Sequence, residues 1–468
     1  MPEPSAHDAA ARRRQRIRAW RAAHPHPLAI LDDDPTGSQS VHSVEVVTVL
    51  ERDELAAAFR EPASVAFLLT NTRGLPESRA AELTEAVARD LLELDPLTEF
   101  VSRSDSTLRG HVLAEIEAIG ARRRAATGAG FDAVLLAPAF FEAGRFTQDD
   151  VHYATLAGVP APVGETEFAK DATFGYRSSN LRDFLAEKSG GRIDATDVLS
   201  ISLETIRRGG PDAVRDLLLG APSGSFIVVN GTEYSDFETV VLGVQAAVDA
   251  GRTFLFRTGP SFVRALAGIE PRAPLGADAI GHLAGGTGHG LVVVGSHVSQ
   301  TSRQVAAARE RGGLHEVELS VPRVVAGDRA YLRERADAVR AALADRDVLL
   351  FTSRELVTGA DAGTSLDIAV AVSAAVSGVV ADALAARPAW VVAKGGITSH
   401  DVAVHGLGIR RARVLGQMLP GQVSVFEPLA AREGAVGIPF VVFAGNVGDD
   451  ETLADVVQTL HSAQLVAR

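Results

Sequence analysis

Three consecutive carboxylates, Asp32, Asp33 and Asp34, follow directly on the apolar run LAIL, in the stretch LDDDPTGSQSVH. Like charges on adjacent residues repel, so the triplet is costly unless a cation, a metal or a hydroxyl takes it up. One such aspartate can accept a substrate hydroxyl's proton while another helps hold a divalent metal, and the sequence does not separate the two roles. The bland alternative is an Asx turn before Pro35 with its charges solvated. Further on, TNTRG places Arg73 behind a second apolar run. SRSDSTLRG gathers Arg103, Ser104, Asp105, Ser106, Thr107 and Arg109 behind a third. Guanidinium forks pair with carboxylates through parallel hydrogen bonds, and aspartates and hydroxyls suit the alcohols of a sugar acid. Asp105 or Ser106 is expected to cap the helix TLRGHVLAEIEAIG, yet capping does not explain two arginines beside an aspartate at a strand end. APAFFEAGRFTQDD adds Glu142 and Arg145, which a strand-to-loop corner explains equally well.

The later part of the chain offers different chemistry. GSHVSQTS (Gly295 to Ser302), GGITS (Gly395 to Ser399) and GNVGDDET (Gly445 to Thr452) set small and hydroxylated residues ahead of helical stretches. Glycine lets a phosphate approach the backbone, and a helix N-terminus offers free N–H groups. Singly each is an ordinary turn with a Ser or Asp cap. Three in one region, each behind a buried strand, point to a nucleotide. No GxxxxGK[ST] occurs, which excludes a P-loop enzyme; GLGIRR and GAGFDA are imperfect and badly placed as dinucleotide fingerprints.

Those residues need elements to position them. A chain of 468 residues with 46% apolar content can build two or three domains. Short β-branched runs alternate with Ala/Leu/Glu/Arg-rich stretches, the pattern of α/β domains with largely parallel sheets. Strands are expected at PLAIL, VEVVTVL, VAFLLT, EFVSRS, AVLLAP, FIVVN and TFLFRT in the first half. In the second half they are expected at LVVVGS, HEVEL, VLLFTS, WVVAKG, VSVFEP and PFVVFAG. Ligands of open α/β sheets gather beyond the carboxyl ends of the strands, where each motif above falls. The expected division is an N-terminal extension (1–25), a domain for a polar anionic molecule (26–267), a Gly/Pro/Ala-rich linker (268–290) and a phosphate-binding domain (291–468). The active site is expected in the cleft between the domains.

Composition excludes other classes. Without cysteine there is no disulfide, cysteine-ligated zinc or thiol nucleophile, which fits a cytoplasmic protein. A net charge of −13 argues against nucleic-acid binding. No apolar run reaches the roughly 18 to 20 residues of a membrane span. The Arg-rich start lacks the apolar core of a secretory signal and reads as an exposed first helix.

The motifs DDDPTG, TNTRG, SDSTLRG, APAFFEAGR, GSHVS, GGITS and GNVG, in this order, resemble the four-carbon acid sugar kinases over almost the whole chain. That resemblance implies an ATP- and Mg²⁺-dependent kinase acting on a hydroxyl of a small sugar acid such as threonate, erythronate, a 3-oxo-tetronate or a branched relative. It implies substrate contacts at Asp33 or Asp34, Arg73, Arg103, Ser104, Asp105 and Ser106; on the chemistry of these groups the carboxylate is expected on Arg73 and Arg103 and the hydroxyl is expected to be oriented by Asp105, Asp33 or Asp34. For ATP it implies Ser296, Gly396, Ile397, Thr398, Ser399 and Gly445. Metal ligands are not assigned, and a homo-oligomer is compatible. Pro35, Ser38 and Gln39 depart from the family's D-D-[FL]-T-G-A, Arg103 stands where lysine is common, and Ile397 where glutamate is usual. The alternatives are an NAD-dependent dehydrogenase or epimerase of the same acids, and a non-catalytic sugar-acid sensor.

Overall fold

The computed structural model describes residues 6–34, 40–156, 158–281, 288–296, 298–353 and 362–466. The departures at Pro35, Ser38 and Gln39 lie outside the described residues. The chain forms two compact units, residues 1–41 with 50–271, and residues 42–49 with 272–468.

In chain order the strands up to residue 258 are β1 (Leu28–Asp32), β2 (Glu45–Val47), β3 (Val65–Leu69), β4 (Glu99–Arg103), β5 (Ala133–Ala137), β6 (Arg145–Gln148), β7 (Val151–Leu156), β8 (Val159–Pro162), β9 (Leu199–Ile201), β10 (Ser225–Val229) and β11 (Phe254–Thr258). The first unit's main sheet runs β3-β1-β4-β11-β5-β10-β9, and its pairings are all parallel. Parallel sheets are covered on both faces, which is why β1, β5 and β11 are buried at every position; β5 reads as a continuous apolar run, while β1 and β11 are apolar up to their polar carboxyl ends. The chain leaves β1 towards β3 but leaves β4 towards β5 on the other side. The crevice beyond the carboxyl ends of β1 and β4 is therefore a topological switch point, where ligands of such sheets bind. Register sets Asp32 beside Arg103 there.

A separate antiparallel sheet, β6-β7-β8, stands where the sequence suggested a corner at Arg145. Its first hairpin turns through Asp149 (φ 51°) and Asp150 (φ 62°), the left-handed pair of a two-residue type I′ turn. The Asp150 carboxylate accepts from Asn230 at 2.8 Å and Arg182 at 2.7 Å, which fixes the turn.

The helix Ala6–Ala23 is part of the first unit rather than an exposed appendage. Ile17 is fully buried, and Arg14 donates to Glu238 at 2.8 Å, on the helix Tyr234–Asp249. The helix after SDSTLRG begins at Val112, behind His111 and without a side-chain cap. Asp105 and Ser106 thus do not cap it, because Leu108 (φ 68°) and Gly110 (φ 125°) turn the intervening chain back over the strand ends.

The second unit contains β12 (Leu291–Val294), β13 (Leu314–Leu319), β14 (Asp347–Thr352), β15 (Val391–Lys394), β16 (Arg411–Leu419), β17 (Gln422–Ala430) and β18 (Phe440–Phe443). The order β13-β14-β12-β15-β18 is parallel; β17 and β16 continue it antiparallel, and β2 pairs antiparallel with β16. The run VEVVTVL therefore serves the second unit, not the first. Val46 and Val47 are fully buried there, and Arg411 donates to Glu45 at 3.0 Å. The expected linker is shorter too, since Leu275 and Ile280 already belong to this unit's core. The helix Ala362–Ala383 and the single turn Leu384–Ala386 after it share a stretch, Asp367–Ala386, of mean hydropathy 2.0, apolar and long enough to cross a membrane by length and composition. Asp382 interrupts its apolar series, and Val376, Val379 and Val380 are buried in this unit.

Candidate active site

The ends of β1, β3, β4 and β11 are tied into one platform. The Asp32 carbonyl accepts from Thr70 N–H at 2.9 Å, the Arg103 carbonyl from Asp33 N–H at 3.2 Å, and the Thr258 carbonyl from Ser104 N–H at 2.9 Å. The opening aspartates sit on this platform, not in water: Asp32 is 0% and Asp33 1% exposed. Asp34 N–H donates to Asp32 Oδ1 at 3.1 Å, so the Asx turn does form, but buried.

Cations offset the triplet. Asn71, in the left-handed region at φ 50°, starts the single turn Thr72–Gly74 that carries Arg73. Arg73 donates to Asp33 at 2.5 and 3.3 Å and to Asp34 at 2.9 Å. Arg103 Nη1 donates to Asp32 Oδ1 at 2.8 Å, while Asp32 Oδ2 and Arg103 Nε find no partner among the described residues. Burial pushes the Asp32 carboxyl up to about 7 against the pull of Arg103. Burial likewise raises Asp33, to about 6, with Arg73 opposing it. Asp105 behaves oppositely: burial acts to raise it, but Arg73, Arg109 and Thr107 hold it down at about 2. Arg109 Nε reaches Asp105 at 2.6 Å.

A second layer, not evident from the sequence, supports the first. Glu115, in the first turn of the helix Val112–Thr127, accepts from Thr72 at 2.7 Å, Ser102 at 2.6 Å and Arg257 of β11. Arg257 is 1% exposed, and its Nη2 finds no partner among the described residues. A Cβ on Gly110 would stand 2.9 Å from Asp33 Oδ2 and 3.1 Å from Arg257 Nη2, so only glycine lets the chain pass over that carboxylate. Arg145 of β6 donates to Ser106 Oγ at 2.6 Å, and its guanidinium lies over Phe168, 5.4 Å from the ring centroid. No carboxylate bonds it among the hydrogen bonds of the described residues, and burial lowers its pKa. Ser106 is fixed from the other side by the fully buried His152, whose Nε2 lies 2.8 Å from the Ser106 carbonyl.

In the second unit the Gly-rich turns converge. Gly295, Ser296, Gly396, Ile397, Thr398, Asp401, Gly445 and Asn446 line one cavity of about 750 Å³. Ile368, Val372 and Val376 of the long helix give it an apolar wall. Thr301 Oγ1 donates to the Gly445 carbonyl at 2.9 Å, which ties two of the turns together. Gly395 (φ 117°) brings the third close, with its Cβ position 3.0 Å from Ser296 Cβ. Gly396 has open space around it, and Ile397 is 79% exposed. Ser399 is not on the cavity wall: it is buried, and its hydroxyl donates to the Ala393 carbonyl at 2.7 Å. Asp449 and Thr452 bond each other at the start of the last helix, an ordinary capping arrangement.

Under the Gly445 turn lies Lys394, fully buried at the end of β15. Its Nζ donates to the Ala444 carbonyl at 2.7 Å and lies 3.6 Å from the centroid of the Phe443 ring. Burial lowers its pKa from 10.5 to about 7. Between those two values the unfolded chain holds a proton that the folded protein gives up, so stability rises with pH across that window. The limb is expected to climb by up to about 1.4 kcal/mol per pH unit. Lys394→Met should flatten it, as denaturant titrations from pH 7 to 9 will read.

The fold and the two clusters define a two-domain protein with an acidic and arginine-rich crevice in one domain and a glycine-lined cavity in the other. Residues 28–266 match the profile of the sugar-binding N-terminal domain and residues 291–453 that of the nucleotide-binding C-terminal domain. The chain belongs to the four-carbon acid sugar kinase family that these two domains define. A D-threonate kinase of Salmonella typhimurium LT2 is 28% identical over 343 residues, which cover 70% of this chain and 72% of that relative. Two crystal structures share the fold. One, a Haemophilus influenzae protein, has a TM-score of 0.64 at 17% identity, covering 94% of this chain and 100% of its own. The other, a Salmonella typhimurium LT2 protein, has a TM-score of 0.67 at 18% identity, covering 92% and 98%.

Proposed function

We propose that the protein is an ATP-dependent kinase that phosphorylates a hydroxyl of a small sugar acid, of the four-carbon aldonate type represented by threonate, erythronate or a 3-oxo-tetronate. The observation that carries this reading is the crevice at the β1/β4 switch point, where aspartates and arginines of matched charge surround the strand end that leads into Ser104 and Ser106, and Arg145 donates to the Ser106 hydroxyl. Phosphoryl transfer asks a protein mainly for positioning and charge stabilisation. Asp33 and Asp105 orient and activate the attacking hydroxyl. The substrate carboxylate is held by Arg73 and Arg103 and by Arg145, the arginine of the cluster that no aspartate occupies. Ser296, Gly396, Thr398 and Gly445 hold the phosphates, and the apolar wall takes the base. Ile397 completes that edge, while Ser399 braces the turn from within.

Among the described residues no three Asp, Glu or His side chains converge as a metal site. That fits a Mg²⁺ brought by the nucleotide, which takes most of its oxygens from phosphates and water. Asp401 and Asn446, on the cavity wall, are the residues that would approach it. When bound, the ion would offset charge on the transferring phosphoryl group.

A coupled ADP-release assay across four- and five-carbon sugar acids tests the proposal. ADP formation that depends on one of these acids is expected. Binding of a sugar acid without ADP release would favour a sensor, and stabilisation by NADH but not Mg-ATP would favour a dehydrogenase. In the same assay Gly445→Val should weaken ATP by at least about tenfold while sparing the sugar acid. A Cβ there already stands 2.9 Å from Ser296 Oγ and 3.5 Å from Val298 Cγ2.

A further inference from the structure

At the opposite end of the first unit's sheet, a strand length or about 16 Å from the crevice, lies a separate cavity of about 220 Å³. Trp20, Leu97, Phe131, Val248, Phe254 and Phe256 make it mostly apolar, and Arg123 of the helix Val112–Thr127 enters its wall. Arg123 is 7% exposed, its guanidinium lies 4.8 Å from the Phe131 ring centroid, and it makes no side-chain hydrogen bond among the described residues. The neighbouring charges are already matched. Glu99 accepts from Arg21 at 3.1 Å, Asp132 faces Arg252 at 3.4 Å, and His26 and His24 face Asp95 and Asp249 at 2.9 and 3.2 Å. Arg123 is left without a hydrogen-bonded counter-ion among the described residues, with only the charge of Asp132 acting on it from a distance. A buried charge without a partner is costly, and a guanidinium set on an aromatic wall matches a carboxylate joined to an apolar body. An apolar cavity of about 150 Å³ already accepts benzene, so this one has room for a ring with a short acidic arm.

We propose that this cavity is a second ligand site of the sugar-binding domain, which takes a small aromatic or branched apolar carboxylate, with Arg123 on the carboxylate and the aromatic side chains around its body. The site is separate from the crevice that binds the sugar acid, and the proposal does not depend on the kinase reading.

Calorimetry on the full chain with 3-phenylpropionate, compared with its neutral amide, tests it. The acid is expected to bind one to one, and the amide at least about tenfold more weakly, the worth of a charge-assisted hydrogen bond. Arg123→Met should cost the acid the same factor while the variant stays folded, since it removes a buried cation that makes no side-chain hydrogen bond among the described residues. Val248→Phe, which fills the cavity and keeps Arg123, should also abolish binding. A crystal soak should show the probe's carboxylate on Arg123. The proposal is overturned if acid and amide bind alike, if Arg123→Met leaves affinity unchanged, or if the probe is found in the crevice at Arg73. Absence of binding at about 10 mM probe overturns it as well.

Discussion

Arg73→Ala is expected to abolish sugar-acid turnover while leaving nucleotide binding intact. Arg73 holds two carboxylates at once, Asp33 and Asp34, and its field reaches Asp105. Removing one partner of a buried charge cluster costs about 3–5 kcal/mol, equivalent to a loss of roughly 10²–10⁴ in kcat/KM if the same groups serve the transition state. The loss of stability should depend on pH. Asp33 already titrates at about 6, above the ordinary 3.8, because it is buried. Without Arg73 it climbs further. A carboxyl raised in the folded state binds a proton that the unfolded chain has released, so stability falls as pH rises through that window. The melting-temperature deficit of the variant should therefore be small near pH 4.5 and large near pH 8. Arg73→Lys keeps a positive charge but cannot fork to both aspartates; it should recover much of the stability and little of the turnover. Loss of ATP binding in a folded Arg73→Ala protein would show that the division of work between the domains is wrong.

What could be read from the sequence followed from local composition. Runs such as AVLL, LVVV and FVVF are apolar throughout because strands covered on both faces are buried at every position, and all thirteen expected strands form. The strands that were missed lack that signature. RFTQ, VHYATL and RARVLGQML (β6, β7 and β16) are partly exposed and mix charges and polar residues with apolar ones. The three residues of β9 are too short a run to register. Which sheet a strand joins is not local information either. Nothing in VEVV states that it pairs with Arg411–Arg413, more than 360 residues later in the chain.

The same distinction holds at the site. Asp32 to Asp34, Arg73 and Arg103 to Ser106 were visible because they follow apolar runs, and strand ends are where α/β sheets place ligands. The Glu115 network was invisible because its partners lie 13, 43 and 142 residues away. One signal was available: Arg257 interrupts the otherwise apolar strand FLFRT, and a charge inside a buried strand needs a partner. Ser399 shows the reverse. It sits inside a glycine-rich turn, but the helix that begins at Gly396 carries its hydroxyl inward to Ala393.

The four aspartates of the crevice are expected to separate by role when each is replaced by Asn, a change that keeps shape and removes charge. A general base that works near neutrality needs a pKa near the working pH, and Asp33, at about 6, meets that condition. Asp105, held at about 2, stays ionised throughout and is suited to orienting a hydroxyl or balancing arginines. In the parent, kcat/KM should therefore rise about tenfold per pH unit below about 6 and level off above it. Asp33→Asn should lose roughly 10²–10⁴ in turnover and, with it, that acidic limb. Asp105→Asn should also lose turnover more than affinity, since its best interaction develops in the transition state, but it should keep the limb. Asp34 is half-buried, and an Asn there can still accept from Arg73, so a modest rise in the Michaelis constant is expected. Asp32 faces Arg103 within the platform, and its substitution should spare turnover the most. Its effect belongs to stability: burial raises its carboxyl to about 7, so its charge weakens the fold as pH rises from about 4 towards 7, and Asn removes that slope. Comparable turnover in all four variants at pH 5 and pH 8 would mean that these carboxylates only shape a turn, and the proposed mechanism would fall with them.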